Sequence, residues 1–193
     1  MSGQKTVSPS AESLAASIKA AKSRGLPPVE QWNPPFSGDI DMEIRRDGTW
    51  FYEGTPIVRP GLVKLFASIL IREDEKYFLV TPVEKVGIRV DDAPFVAVDF
   101  EVSGTGRDQR LTFTTNLEDV TVAGPDVPLR FVRDEQTGEP SPYVRVRRNL
   151  EALIDRKSFY RLVELGVHHE GWFGVWSGGV FFGIIPSEDL PQD

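Results

Sequence analysis

The segment GTWFYEGTPIVRPGLVKLFASIL, residues 48–70, followed by REDEKYFLVTPVEKVGIRV, residues 72–90, decides how this chain is read. Asp47-Gly48 lies between Ile44 and the aromatic run Trp50-Phe51-Tyr52, which predicts a hairpin turn. On a strand, Trp50 and Tyr52 share one face and Phe51 takes the other. Pro60 suits the first turn of a helix, where its missing N–H leaves nothing unsatisfied. Leu62, Leu65, Phe66, Ile69 and Leu70 then recur at helical spacing and predict one apolar stripe. After the polar break 72–76, Tyr77–Val80 and Val86–Val90 read as two strands around Thr81–Lys85. The expected unit is hairpin, helix, hairpin.

The same plan returns near the C-terminus. Arg59, Leu62, Leu65 and Phe66 are echoed at equal spacing by Arg156, Phe159, Leu162 and Val163. Glu75–Val80 is echoed by Glu170–Val175, and Val180–Ile185 stands where Val86–Val90 stood. Upstream, Tyr143–Arg147 and Leu150–Ile154 replay the first hairpin, although 150–154 also suits an extension of the following helix. Tandem copies with one apolar face each can cover one another. The expected fold class is therefore α+β, with two related halves from internal duplication and an N-terminal accessory helix. The organisation read from this is a helix and proline-rich connector at 1–36, a first copy at 37–103, a β-rich segment at 104–141, a second copy at 142–186 and a frayed tail at 187–193.

Working outward, Ser8 or Ser10 can cap a helix over 11–24, closed by Gly25 and by Pro27-Pro28. Trp32 and Phe36 pin the proline-rich connector to the body. Asp39–Ile44 alternates with Ile40, Met42 and Ile44 inward; its outer acids raise a cation site, but a solvated strand face is the simpler reading. Phe95–Val102, Arg110–Thr115, Val120–Ala123 and Leu129–Val132 read as short strands. Gly104–Arg107 looks like a phosphate loop but opens no helix, so it is read as a hairpin turn. The Gly-, Pro- and acid-rich stretch 134–141 marks the boundary before the second copy.

With 193 residues the chain can bury one substantial core or two small ones. No apolar run is long enough for a membrane helix, and the N-terminal residues lack a signal-peptide core, so cytoplasm is the expected compartment. The absence of Cys removes thiol catalysis and Cys-based metal sites. A formal charge of −7 argues against a nucleic-acid polymer bound over a wide surface. It leaves room for a small anion where cations gather.

No residue set is self-sufficient as a catalyst, and no cofactor or metal is expected. Only His168 and His169 are present; neighbours in sequence rarely chelate one metal ion from a regular strand, and a turn or a helix end is the better account of the pair. A Ser-His-Asp set would have to assemble in space without a nucleophile-elbow motif. The more informative group is Arg59, Lys85, Arg145, Arg147 and Arg156, with Trp50, Tyr52, Tyr143 and Trp172 close in sequence. Guanidinium forks hold phosphate or carboxylate, and aromatic faces stack on planar rings. The alternative is structural: Arg59 and Arg156 pair with Glu53, Glu84 or Asp155, and the aromatics are core.

Several segments together resemble a bacterial family, domain of unknown function 1285. They are Gly48-x-Trp50-x-Tyr52-Glu53-Gly54-x-Pro56-Ile57-x-Arg59, Leu62-Val63-x-Leu65-Phe66-Ala67-x-Ile69-Leu70 and Tyr77-x-Leu79-Val80-Thr81-Pro82-x-Glu84-Lys85. They continue with Thr115-Asn116, Pro142-Tyr143-Val144-x-Val146-Arg147, Leu150-Glu151-Ala152-Leu153-Ile154-x-Arg156 and Trp176-Ser177. The resemblance runs from about Pro34 to Ile184. It implies an internally duplicated core, a C-terminal half superficially like a pleckstrin-homology barrel, a nucleotide-based ligand where the halves meet, and a role in signal transduction.

The expectation is a non-catalytic protein that binds a small anionic, nucleotide-like ligand in the cleft between its halves. The candidate ligand-binding residues are Trp50, Tyr52, Arg59, Lys85, Tyr143, Arg145, Arg147 and Arg156. A protein-interaction module using an apolar patch near Trp172–Trp176 is the alternative, and a hydrolase ranks behind both.

Overall fold

The structure is a computed structural model, and residues 10–20 and 25–191 are described. The chain is a mixed α+β protein that divides into two compact units, Met1–Asp91 and Asp92–Asp193. Among the described residues, no helix is long and apolar enough to cross a membrane.

The first unit begins with α1 (Ala11–Ala20). Ser10 and Ser13 cap it reciprocally, each backbone N–H donating to the other's Oγ at 3.1 Å. The expected end of this helix at 24 and its alternative cap Ser8 lie outside the described residues. Leu14 and Ile18 are buried, and α1 packs on α2 (Pro60–Ser68). The sheet contains β1 (Phe36–Ile44), β2 (Trp50–Tyr52), β3 (Thr55–Pro56), β4 (Leu70–Glu73), β5 (Lys76–Val80) and β6 (Lys85–Val90), in the order β3-β2-β1-β6-β5-β4. The central pair β1/β6 is parallel and the rest are antiparallel.

Asp47-Gly48 makes the expected turn, with Gly48 at φ 89° and Asp47 accepting from the Thr49 N–H at 2.9 Å. Pro60 opens α2 as its sequence predicts. The buried helix residues are Val63, Phe66 and Ala67, whereas Leu62 and Leu65 are only half-buried. Ile69 and Leu70 lie beyond the helix end at Ser68, and Leu70 starts a strand absent from the sequence reading. That strand exists because Asp74, at φ 54°, lets Asp74-Glu75 turn in two residues and pair Glu73 with Lys76. The helix is therefore followed by a three-strand meander rather than a hairpin.

The second unit contains β7 (Phe95–Ser103), β8 (Arg110–Thr115), β9 (Val120–Val122), β10 (Leu129–Arg133), β11 (Pro140–Arg147) and β12 (Leu150–Ile154), in the order β10-β11-β12-β7-β8-β9. Here β7 and β12 are the parallel central pair. Counted within its own unit, each sheet has the strand order three-two-one-six-five-four. The second sheet curls until β9 meets β11, where the Thr121 hydroxyl donates to the Arg145 carbonyl at 3.1 Å.

Next come α3 (Arg156–Glu164) and a separate sheet of β13 (Val167–His169), β14 (Trp172–Ser177) and β15 (Val180–Pro186). The cap of α3 is Asp155, whose Oδ1 accepts from the Ser158 N–H at 2.9 Å.

Three boundaries differ from expectation. Residues 95–103 form one strand of the second sheet, so 103 closes no first copy. The stretch 134–141 is no domain boundary: the Asp134 carboxylate accepts from the Gln136 and Thr137 N–H groups at 2.8 Å each, folding it into the tip and flank of the β10–β11 hairpin. Ser187–Asp189 is an anchored 3-10 turn rather than a frayed tail, because Asp189 pairs with Arg133 at 2.7 Å and the Ser187 N–H donates to the Gly171 carbonyl. Residues 192–193 lie outside the described residues. The echo between α2 and α3 also meets different surroundings. Helix α2 packs against α1 and continues into the six-strand sheet, while α3 packs against β7 and β14 and continues into the separate sheet.

Candidate functional site

The eight residues expected to bind ligand divide sharply by environment. Trp50 is 1 % exposed and stacks on Phe66, with ring centroids 6.4 Å apart and planes at 22°. It is a core residue and presents no surface for a ligand ring. Tyr52 is half-buried, and burial raises its phenol above the ordinary value despite a hydrogen bond with the Ala11 backbone. Its strand therefore helps to seat α1. Tyr143 is buried, donates from its hydroxyl to Asp92 at 2.7 Å and lies beneath the Arg130 guanidinium.

Two cations are committed within their own units. Lys85 Nζ reaches both Glu73 carboxylate oxygens at 2.7 Å and sits over the Phe78 ring. Arg147 donates to Asp119 at 2.7 Å and lies over Phe95, with only 14 % of its side chain exposed. Asp119 is presented by the β8–β9 turn, where Thr115 Oγ1 accepts from the Leu117 and Asp119 N–H groups. Asn116 adds a clamp by accepting from the Val96 N–H at 3.0 Å. Thr115-Asn116 and Arg147 thus lock one end of the second sheet. Arg147→Ala is expected to cost about 1–3 kcal/mol, between an exposed pair and a fully buried one, read as a lower denaturant midpoint.

Arg59, Arg145 and Arg156 remain exposed. None of them makes an ion pair among the described residues, and the expected pairing with Glu53, Glu84 or Asp155 does not occur. Glu84 instead accepts from Ser13, and Asp155 binds Lys157. Other arginines are engaged: Arg89 with Asp41 and Glu43, Arg130 with Glu151, Arg133 with Asp189, Arg161 with Asp99. The Arg161 guanidinium and the Phe100 N–H together hold the Asp99 carboxyl below its ordinary value. Two of the outer acids of β1, Asp41 and Glu43, are paired in the same way with Arg45 and Arg89.

His168 and His169 occupy successive positions of β13 and so face opposite ways. His168 Nδ1 lies 2.8 Å from Ser187 Oγ, next to Phe173. His169 sits between Trp176 and Phe181, with ring centroids 4.9 and 5.0 Å away. The open cavities of about 490, 330 and 480 Å³ are lined by residues 133–138, by Asp39 with parts of β5 and β6, and by residues 73–78. Neither histidine lines any of them.

A feature missed in the sequence is the way Ser177 fastens the small sheet. Its fully buried hydroxyl donates to the Ala123 carbonyl at 2.7 Å and accepts from the Leu111 N–H at 3.0 Å. Gln109 adds a hydrogen bond to the Trp176 carbonyl at 2.8 Å. Ser177→Ala leaves a buried donor and a buried acceptor unmatched and is expected to cost about 1–3 kcal/mol, measured by urea denaturation.

The two units, each built on a six-strand sheet, correspond to two family models. Residues 27–93 match the N-terminal domain of a domain of unknown function (DUF1285), and residues 94–184 match the C-terminal domain of the same family. The chain belongs to the DUF1285 family. It is similar to a solved DUF1285 family protein from Silicibacter pomeroyi DSS-3, at 65 % identity over 91 % of this chain and 96 % of that one, with a TM-score of 0.85. It is also similar to a DUF1285 family protein from Shewanella baltica OS155, at 34 % identity over 64 % of this chain and 90 % of that one, with a TM-score of 0.50. No curated protein matches the chain.

Proposed function

We propose that this protein is a non-catalytic binder of a small organic anion carrying a planar ring, with a nucleotide as the leading chemistry and signalling as the setting. One observation carries the reading: Arg59, Arg145 and Arg156 stay exposed and make no ion pair among the described residues, in a chain of net charge −7. In so acidic a protein an exposed guanidinium readily finds a carboxylate, as Arg89, Arg130, Arg133 and Arg161 do. Cations left unpaired are available to an incoming phosphate or carboxylate.

The reading includes an origin by duplication and a second half superficially like a pleckstrin-homology barrel. The shared strand order supports the duplication, and the curl that brings β9 to β11 suits a barrel. On strand order, the matching segments are 36–90 and 95–154, a register different from that of the helix echo.

Thermal-shift measurements against nucleotides test the binding. A stabilising nucleotide is expected, and Arg145→Ala or Arg156→Ala, both at exposed positions, should remove most of the shift while leaving the ligand-free melting temperature within about 2 °C. Equal shifts in wild type and both variants would exclude these cations from the site.

A further inference from the structure

We infer that the outer face of the three-stranded sheet in the second unit is a stacking surface for a ligand with a flat ring at one end and an anion at the other. This rests on the reading of the protein as a binder of ring-bearing anions, and its contacts are Trp172 and Arg107, a residue set separate from Arg59, Arg145 and Arg156 and tested separately from them. In the register of β14 and β15, Gly174 lies opposite Gly183, so the middle of the sheet carries no side chain of its own. Two rings from neighbouring strands cover the gap. A Cβ on Gly183 would lie 3.0–3.4 Å from three contiguous atoms of the Trp172 indole, and one on Gly174 would lie 2.9 Å from Phe181 Cζ. Trp172 therefore rests one face on a glycine backbone. It is nevertheless 45 % exposed, so the outer part of the ring is presented to solvent. Large aromatics are usually well buried, and a flat indole held this way is a preformed stacking platform.

The same face supplies the charge. The Arg107 guanidinium, from the turn between β7 and β8, stacks 4.9 Å from the Trp176 ring centroid. Arg107 is exposed and makes no ion pair among the described residues. Stacking holds the fork in place without using its in-plane donors, the arrangement that suits bidentate capture of phosphate or carboxylate. Trp176 is in turn braced by His169 and Phe181. The Glu170 carboxylate lies 3.8 Å from His169 and is turned to solvent.

Spacing sets the ligand's dimensions. Trp172 and Trp176 are four residues apart on one strand, about 13 Å. A ligand that uses both the Trp172 platform and the Arg107 fork must separate ring and anion by much of that span. A nucleoside diphosphate does so, whereas a compact aryl carboxylate reaches only one of the two.

Isothermal titration calorimetry of the full chain tests this, using ADP as the probe and AMP, 2-naphthoate, adenosine and inorganic pyrophosphate as comparisons. The expected order places ADP at least tenfold tighter than each of the others. Trp172→Ala and Arg107→Gln should each weaken ADP at least tenfold, and Trp172→Phe should keep most of the affinity. Arg107→Gln and Trp172→Phe should leave circular dichroism and melting unchanged, while Trp172→Ala, which uncovers Gly183, should keep the circular dichroism with a lower melting temperature. ADP binding that is indifferent to either Trp172→Ala or Arg107→Gln overturns this site while leaving the binding function intact. Naphthoate or AMP binding as tightly as ADP overturns the spacing argument and the site with it. If no probe binds at millimolar concentration, both the function and the site fall.

Discussion

Trp50→Ala should lower the stability of the first unit by about 3–5 kcal/mol, the range for truncating a fully buried Trp. The indole fills the space between β2 and α2, stacked on Phe66, and its removal leaves a cavity that a helix held at both ends cannot close. Trp50→Phe should cost clearly less. It keeps an aromatic partner for Phe66 and removes an indole N–H that has no hydrogen-bond partner among the described residues. Guanidinium denaturation followed by far-ultraviolet circular dichroism gives both values. A Trp50→Ala protein with wild-type stability and weakened ligand affinity would return Trp50 to the binding site and contradict its burial.

Gly174→Ala is the second large effect. A Cβ there would sit 2.1 Å from the Phe182 carbonyl oxygen and 2.8 Å from the Gly183 Cα, both backbone atoms of the neighbouring strand. No rotamer change relieves a backbone clash, so β14 and β15 must separate. The cost should reach or exceed the upper end of the usual overpacking range, about 1–3 kcal/mol. Hydrogen exchange should show faster exchange at β14–β15 amides, with the six-strand sheets unaffected. By contrast, Gly179→Ala, where no neighbouring atom is close, meets only the strain of a positive φ of 81° and should be much milder. Similar losses at the two glycines would mean that close strand contact is not what requires Gly174.

How these two residues looked in the sequence explains much of what was legible. Trp50 alternates with Phe51 in an aromatic run after an Asp-Gly turn, and that pattern gave the hairpin but not which aromatic faces inward with a helix above it. The period-2 runs at β1 and β8 and the Pro60 start of α2 follow from local rules, because strand alternation and helix starts depend on neighbours within a few residues, whereas Leu150–Ile154 does not alternate and stayed open between a strand and an extension of the next helix. Short strands were harder. Both β4 and β13 have only three or four residues and end in tight turns at Asp74 and Glu170, whose positive φ is uncommon for those residue types.

The cationic set shows the same limit. Arg147 and Lys85 look identical in sequence to Arg145 and Arg156, yet the first two are held by Asp119 and Glu73 and the others face solvent. Asp119 is 28 residues from Arg147, so no local pattern could reveal the pair. Trp172 was marked as a neighbour of the cations, but its presentation depends on Gly183, eleven residues on and across a strand pair.

By itself, the sequence determined the class and most of the strands, since these rest on short-range periodicity and turn chemistry, and its matching segments carried the family resemblance. Only the tertiary structure decided the strand order, the parallel central pairs and which arginines and aromatics are available to a ligand. Those properties depend on which distant carboxylate or glycine folding brings alongside, and sequence spacing holds no information about a partner dozens of residues away.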